Sequence, residues 1–412
     1  MPPDVRMRGF QQRAEVGAVL RLIEERIAPL EPEDIPIMTS AGRVLAADVI
    51  AEVSVPGFDR AAMDGYALRG RETFGADTYS PLEFAVIGQS LPARPFAGSV
   101  GAGQSVRIMT GAPIPDGADA VLQAEAATEI PEVPPKVRVS ESVPPGRHVG
   151  KCGEDISVGT VVLRAGRILR PQDLGVLASI GANPISVIRV PTVAIFVTGD
   201  ELLPCGSKPE GFRIVDSNSA MLRALAQRDG AAGVRIEMIP DKIDSIRAAV
   251  LQATEDVLLI SGGSSVGLED HAPRVLRELG EVPIHGVALR PASPTGLGFI
   301  GKRPVFLLPG NPVSCLCAYD LFAGTALRRL GGRSVALPYP TRSCIVEGKI
   351  SSAIGRVDYV RVIVQGDKVV PLAISGASIL SSTTRADGFI LVPADLEGYG
   401  EGEAVSVYMY DF

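Results

Sequence analysis

The order of apolar and polar positions divides this chain into four textures. Between Gln11 and Leu30, apolar residues at Val16, Val19, Leu20, Ile23 and Ile27 share one stripe, which predicts an amphipathic helix. From Ile50 to about Pro145 the pattern turns to short alternating runs broken by glycine and proline. Leu82–Ile87 and Ser105–Ile108 are examples, and they predict a small β-rich domain. Pro131 to Pro145, rich in proline and charge, reads as a loop or edge. A short helix is expected near Gly175 to Ile180. From Pro191 the chain alternates strands (Thr192–Val197, Val234–Ile239, Val257–Ile260, Val305–Leu308) with helices (Asn218–Arg228, Asp244–Thr254, Ala272–Leu279, Pro312–Leu330). That alternation predicts a mostly parallel sheet covered on both faces. After Gly331-Gly332, residues 334–412 return to short β runs, a barrel or a sandwich.

Composition narrows the class. A chain of 412 residues with 46% hydrophobic and 21% charged positions is globular and long enough for two to four domains. Tryptophan is absent, aromatics are 5% and the net charge is −7, which argues against nucleic acid as the main partner. Small anionic substrates remain open, since a local pocket can be positive on an acidic protein. The five cysteines form no CxxC pair and are odd in number, so reduced thiols are expected. No secretion signal and no membrane-length apolar run is seen, and the expectation is a soluble, cytoplasmic protein.

Chemistry concentrates at the strand ends of the α/β region, where such sheets bind ligands. Strand Val257–Ile260 opens into Ser261-Gly262-Gly263-Ser264-Ser265 and ends on Glu269 and Asp270. Bare N–H groups of a glycine loop can close around oxyanions, and carboxylates just beyond suit a shared Mg²⁺. Neighbouring strand ends supply Thr198-Gly199-Asp200-Glu201, Pro240-Asp241 and Pro309-Gly310-Asn311-Pro312-Val313-Ser314, while Asp216-Ser217-Asn218 starts a helix. Asn311 fits a helix cap, Pro312 the first helical position, and the helix start behind Gly310 a second anion cradle. Singly, each has a plain alternative: Asp216, Asn218 and Asp241 as helix starts, Gly262-Gly263 as an ordinary turn. Convergence of four such loops on one sheet edge favours a site. In the β-rich region, Phe58–Leu68 reads as a turn carrying Asp59 and then a strand, and Arg107–Pro113 as a strand ending in a tight turn at Thr110.

Together FDRAAMDGYAL, RIMTGAPIP, GEDI, TGDEL, DSN, SGGSSVG-x-x-D and LPGNPVS resemble the molybdopterin molybdenumtransferase (molybdenum insertase) family, which includes the E domain of gephyrin. The match runs through nearly the whole chain in the family's order. The resemblance implies a multidomain α/β plus β protein. Its parts would be an elongated helical region (1–52 and 146–185), a β-rich domain (53–145), a molybdopterin-binding three-layer α/β domain with a parallel sheet (186–331), and a C-terminal β-barrel (332–412). It further implies a homodimer that takes adenylylated molybdopterin and molybdate and, with Mg²⁺, releases AMP and forms molybdenum cofactor. Transient contact with the molybdopterin adenylyltransferase and with molybdoenzymes would accompany that role.

Carried over by motif, Glu201, Asp241 and Asp270 would hold Mg²⁺, with Asp59 and Thr110 supplied by the partner subunit. Substrate binding would involve Asp216, Asn218, Ser261, Gly262, Gly263, Ser264, Pro309, Gly310, Asn311, Pro312 and Ser314. Arg356 and Ser378 match in the last domain. One departure stands out: family members carry lysines in a K-P-G-K-P segment and shortly before it. Here Gly286 and Ser293 stand at lysine positions, and Arg290 keeps the charge. Arginine can grip an oxyanion with two parallel N–H groups, so Arg290 is the expected molybdate contact. Two other readings stand beside this one: a diverged paralogue with altered molybdate handling, and a scaffold protein.

Overall fold

The protein is described by a computed structural model covering residues 13–263, 271–373 and 376–411. It divides into two compact units, one spanning Asp34–Val187 and the other the chain up to Glu33 together with Ile188 onward. No helix among the described residues is long and apolar enough to cross a membrane.

In the first unit a six-stranded sheet runs in the order Ala120–Gln123, Gly65–Leu68, Gln104–Ile108, Leu82–Ser90, Lys136–Val139, Ala127–Ile130. Alternation sends Tyr66 and Leu68 to one apolar cluster with Phe84, Val137 and Val139. Ala67 goes to the other, with Ile108 and Val121. Lys136–Val139 corrects the reading of 131–145 as loop or edge: it pairs on both sides, with Leu82–Ala85 and with Ala127–Ile130. The prolines flank this strand rather than interrupt it, so its amides stay free to join the ladder.

The Pro171–Ser179 helix begins with proline at its first turn and is locked by Asp173. This carboxylate accepts the Arg170 backbone N–H at 3.0 Å and the Arg167 guanidinium at 2.9 and 2.8 Å, and it is 5% exposed. Hydrogen bonds from Arg167, then from Arg170, hold it well below the usual carboxylate range. A depressed carboxylate stabilises the fold above its unfolded value, about 3.9, and that contribution is lost as pH falls toward the folded value. Asp173→Asn is therefore expected to cost about 2 kcal/mol at neutral pH. In thermal melts the gap between variant and wild type should narrow steadily below about pH 4; a gap independent of pH refutes the assignment.

The second unit holds a mixed sheet in the order Gly233–Ile239, Thr192–Thr198, Val257–Ser261, Arg303–Leu308, Gly296–Ile300, Glu281–His285. The first four strands are parallel, as the βα alternation predicts, and the last two run antiparallel. Val193, Ile195, Val197, Leu259, Phe306 and Leu308 face one core. Ala194, Phe196, Leu258, Ile260, Val305 and Leu307 face the other, so helices cover both sides. Val19, Ile23 and Ile27 of the Val16–Arg26 helix and its C-cap join the first of these cores.

The last helix of the sheet domain, Pro312–Ala318, passes through a π turn at Tyr319–Ala323 into Gly324–Leu330. The π turn brings Asp320 into the core, where it accepts from Arg228 and from the Tyr339 hydroxyl, each at 3.0 Å. Asp229 bonds Arg228 and Arg328, both at 3.0 Å. Gly324 makes room for this cluster, because a Cβ there would come 2.6 Å from an Asp229 oxygen.

Beyond it, strands Thr341–Val346, Val357–Gln365, Lys368–Ala373, Gly388–Val392 and Ala404–Met409 close on themselves. Val357–Gln365 pairs with both Lys368–Ala373 and Gly388–Val392, which completes a barrel filled by Val346, Val360, Val362, Val369, Ile390 and Val407. The short strand Leu289–Arg290, from the sheet domain, adds in parallel to Val357–Asp358 of the barrel.

Candidate active site

The acidic loops meet where the parallel strands terminate. Thr198, the last residue of its strand, donates its hydroxyl to Asp241 Oδ1 at 3.0 Å. Asp200 Oδ1 accepts the Asp241 N–H at a long 3.4 Å, and Glu201 turns back beneath Gly199. Thus Asp200, Glu201 and Asp241 gather on two adjacent loops. The glycines set how closely the third loop can approach. At Gly262 (φ +95°) a Cβ would lie 2.2 Å from the Thr198 carbonyl oxygen. At Gly263 it would lie 3.6 Å from Asp241 Oδ1. Gly310 faces Gly262 at similar range, a Cβ there meeting the Gly262 Cα at 3.7 Å.

Asn218 ties the neighbouring loops together. Its side-chain N–H₂ donates to Ser261 Oγ at 2.9 Å and to the Gly310 carbonyl at 2.8 Å. Asp216, 3% exposed, accepts the N–H groups of Asn218 and Ser219 at 2.9 and 3.1 Å, which gives it the helix-capping role. Cys315 lies 3.9 Å from Ser261 Oγ, and complete burial pushes its thiol up to about 12, so it stays protonated and inert.

Two expectations are corrected. The Gly262 N–H is not open to an anion, because it donates to the Leu308 carbonyl at 3.2 Å. The helix start behind Gly310 is not a free cradle either: the Val313 N–H donates to the Ala377 carbonyl at 3.0 Å. Pro312 takes the first helical position as expected, yet the Asn311 side chain makes no capping bond. Pro309 and Ser314 are buried at this turn, and the Ala377 contact sets Ser378, itself exposed, beside it in sequence. Ser264 and Asp270 lie outside the described residues.

Arg290 is not a solitary cation. Its guanidinium bonds the Asp358 carboxylate, which also accepts from Arg356 Nε at 3.2 Å and Ser352 Oγ at 2.6 Å. The loop carrying Arg290 is closed by hydrogen bonds from Gly286 N–H to Thr295 and from Val287 N–H to Ser293, both 2.9 Å. Ala292 within it is held at φ +100°, a conformation that strains any residue with a Cβ. Ala292→Gly is expected to raise stability by about 1 kcal/mol, since relief of strain outweighs the extra unfolded-state freedom. A lowered denaturant midpoint would show that the loop carries no such strain.

In the other unit, Asp59 and Thr110 are each anchored within their own neighbourhood. Asp59 accepts from Lys151 Nζ at 2.7 Å and the Cys152 N–H at 2.9 Å, and these bonds, Lys151 first, keep its carboxylate below the ordinary range. Thr110 donates its N–H and hydroxyl to Asp64 at 2.6 and 2.7 Å. The Ala61 N–H reaches the Ala112 carbonyl at 2.9 Å, so the two motifs that carry these residues pair directly. Sequence reasoning singled out neither Asp64 nor Lys151, although both lie inside or next to the quoted motifs.

Among the described residues no group of three His, Cys, Asp or Glu side chains is close enough to hold a metal alone. The hard oxygen set of Asp200, Glu201 and Asp241 nevertheless fits Mg²⁺, which typically takes one or two carboxylates and completes its shell with phosphate and water.

The chain matches three family models in order: the MoeA N-terminal region (domain I and II) over 14–181, a probable molybdopterin binding domain over 194–329, and the MoeA C-terminal region (domain IV) over 345–410. A putative molybdopterin biosynthesis protein of Methanocaldococcus jannaschii is 34% identical over 92% of each chain. The molybdopterin molybdenumtransferase of Haemophilus influenzae is 30% identical over 94% of this chain and 96% of its own. The crystal structure of a molybdopterin biosynthesis MoeA protein from Pyrococcus horikoshii superimposes with a TM-score of 0.84 at 32% identity, over 97% of this chain and 100% of that one. With all three regions present in order and relatives of 30% identity or more matched over nearly their whole length, the chain belongs to the MoeA family of molybdopterin molybdenumtransferases, enzymes of molybdenum cofactor biosynthesis.

Proposed function

We propose that this protein inserts molybdate into adenylylated molybdopterin and releases AMP. The observation that carries the reading is the junction of Thr198, Asp241 and Gly263 at the strand ends, where carboxylates and a close glycine turn share one rim. Glu201 and Asp241 would hold Mg²⁺, together with Asp270, which follows the glycine run in sequence. Bound there, the ion would neutralise charge on the pterin phosphate and on the departing AMP. Asn218 ties the Ser261 strand end to the Gly310 turn, which supports a common rim for these two loops. Arg290 and Arg356 would hold the molybdate dianion, and Ser378 would add a hydroxyl donor.

In this reading the enzyme works in the cytoplasm as a homodimer, and Asp59 and Thr110 serve the reaction from the second copy. The molybdopterin adenylyltransferase would supply the substrate and molybdoenzymes would receive the product. The test is reconstitution: purified protein, adenylylated molybdopterin, molybdate and Mg²⁺, with AMP release and cofactor activity measured together. AMP release that ignores molybdate would refute it.

A further inference from the structure

We propose that Asp358 is a positioning residue for the oxyanion substrate, clamping Arg290 and Arg356 into one fixed pair of guanidinium groups; this rests on the molybdate reading above. Asp358 is fully buried on a barrel strand, while Arg290 and Arg356 are each 30% exposed at the side chain. The three side chains come from two parts of the chain. Arg290 sits on the tight loop of the sheet domain, and Asp358 and Arg356 sit on or beside the barrel strand that this loop extends. The parallel pairing puts Arg290 and Asp358 in register, and the Val357 N–H secures it by donating to the Ala288 carbonyl at 2.9 Å.

Charge and hydrogen bonding both point to an anion. Two guanidinium groups against one carboxylate leave a single net positive charge, partly open to solvent. The Asp358 carboxylate is buried and already accepts from Arg290, Arg356 and Ser352, so it offers little to a further cation. Donors, by contrast, are in excess. Arg290 Nε and Ser293 Oγ, on the same closed loop, are shielded from water and have no partner among the described residues. The cluster thus concentrates donors on one loop with a buried acid behind them to fix their direction. With Gly286 and Ser293 at the lysine positions, the positive charge of this segment rests on Arg290, and Asp358 sets its direction together with that of Arg356.

The direction of the effect separates positioning from simple charge. Were Asp358 only a brake on positive potential, Asp358→Asn would leave two unopposed guanidinium groups and tighten molybdate binding. If it positions them, the pair splays apart and binding weakens. The experiment follows AMP release by the full-length protein as molybdate is varied, at saturating adenylylated molybdopterin, then the reverse. For Asp358→Asn the molybdate KM is expected to rise about tenfold, with the pterin-nucleotide KM within about twofold of wild type. Ser352→Ala keeps the carboxylate side chain and removes one of its bonds; it should raise the molybdate KM about threefold and covers the case in which Asp358→Asn does not fold. A molybdate KM that is unchanged or lower in the folded variants overturns the inference while the proposed function stands. A wild-type protein with no molybdate-dependent AMP release overturns both.

Discussion

Gly262→Ala is expected to destabilise the protein by about 3 kcal/mol or more and to eliminate AMP release. Three effects coincide at this residue. Its φ of +95° strains any side chain, the added Cβ would sit 2.2 Å from the Thr198 carbonyl oxygen, and its N–H bond to Leu308 holds the loop against the adjacent strand. Backbone cannot move aside as a flexible side chain can, so the loop itself must shift and the Thr198–Asp241 contact goes with it. Gly263→Ala is the control. There the nearest atoms are Thr198 Cγ2 at 3.4 Å and Asp241 Oδ1 at 3.6 Å, so the cost is mainly conformational, about 1 kcal/mol. Thermal melts of the two variants, side by side, decide the matter. Equal losses would mean that close backbone approach at Gly262 is unimportant.

The second large effect is on chemistry alone. Asp241→Asn retains an oxygen to accept the Thr198 hydroxyl, so the fold and melting temperature should hold. What it removes is a negative charge at the rim proposed for Mg²⁺. AMP release is expected to fall by about two orders of magnitude, with a higher Mg²⁺ concentration needed for half-maximal rate. Glu201→Gln, on the neighbouring loop, should behave alike, and the double variant should lose less than the sum of the two because both act through one ion. Full activity in Asp241→Asn would remove this carboxylate from the proposed chemistry.

Periodicity carried most of the architecture. The four parallel strands lie within two residues of their expected bounds: three are apolar on both faces, and the edge strand Gly233–Ile239 alternates apolar positions with Arg235 and Glu237; Asn218–Arg228 and Ala272–Leu279 match their expected bounds. Glu281–His285 and Gly296–Ile300 went unseen for an equally physical reason. Pro283 interrupts one, and Gly296 and Gly298 leave the other with little side-chain pattern to read. Lys136–Val139 was hidden by the prolines around it. At the candidate site, motifs located the loops, but contacts between distant residues could not be read from a single chain. Thr110 and Asp64 are 46 positions apart, and Arg290 and Asp358 are 68. Nothing local announces either pair. The Ala377 carbonyl that occupies the Val313 N–H belongs to the same class: it is a tertiary choice that overrides what a helix start alone suggests.

The acid–base cluster around the π turn carries a lesson for anyone cutting this chain into pieces. Tyr339 comes after the sheet domain in sequence, yet its hydroxyl is bonded to Asp320 inside that domain's final helix, and its ring packs edge-on against Phe389 of the barrel. A truncation at Gly332 would therefore strip a partner from a buried acid and bare an aromatic cluster in one stroke. The last eighty or so residues serve as the stopper of the preceding domain, and a fragment ending at the boundary that composition suggests should precipitate rather than fold.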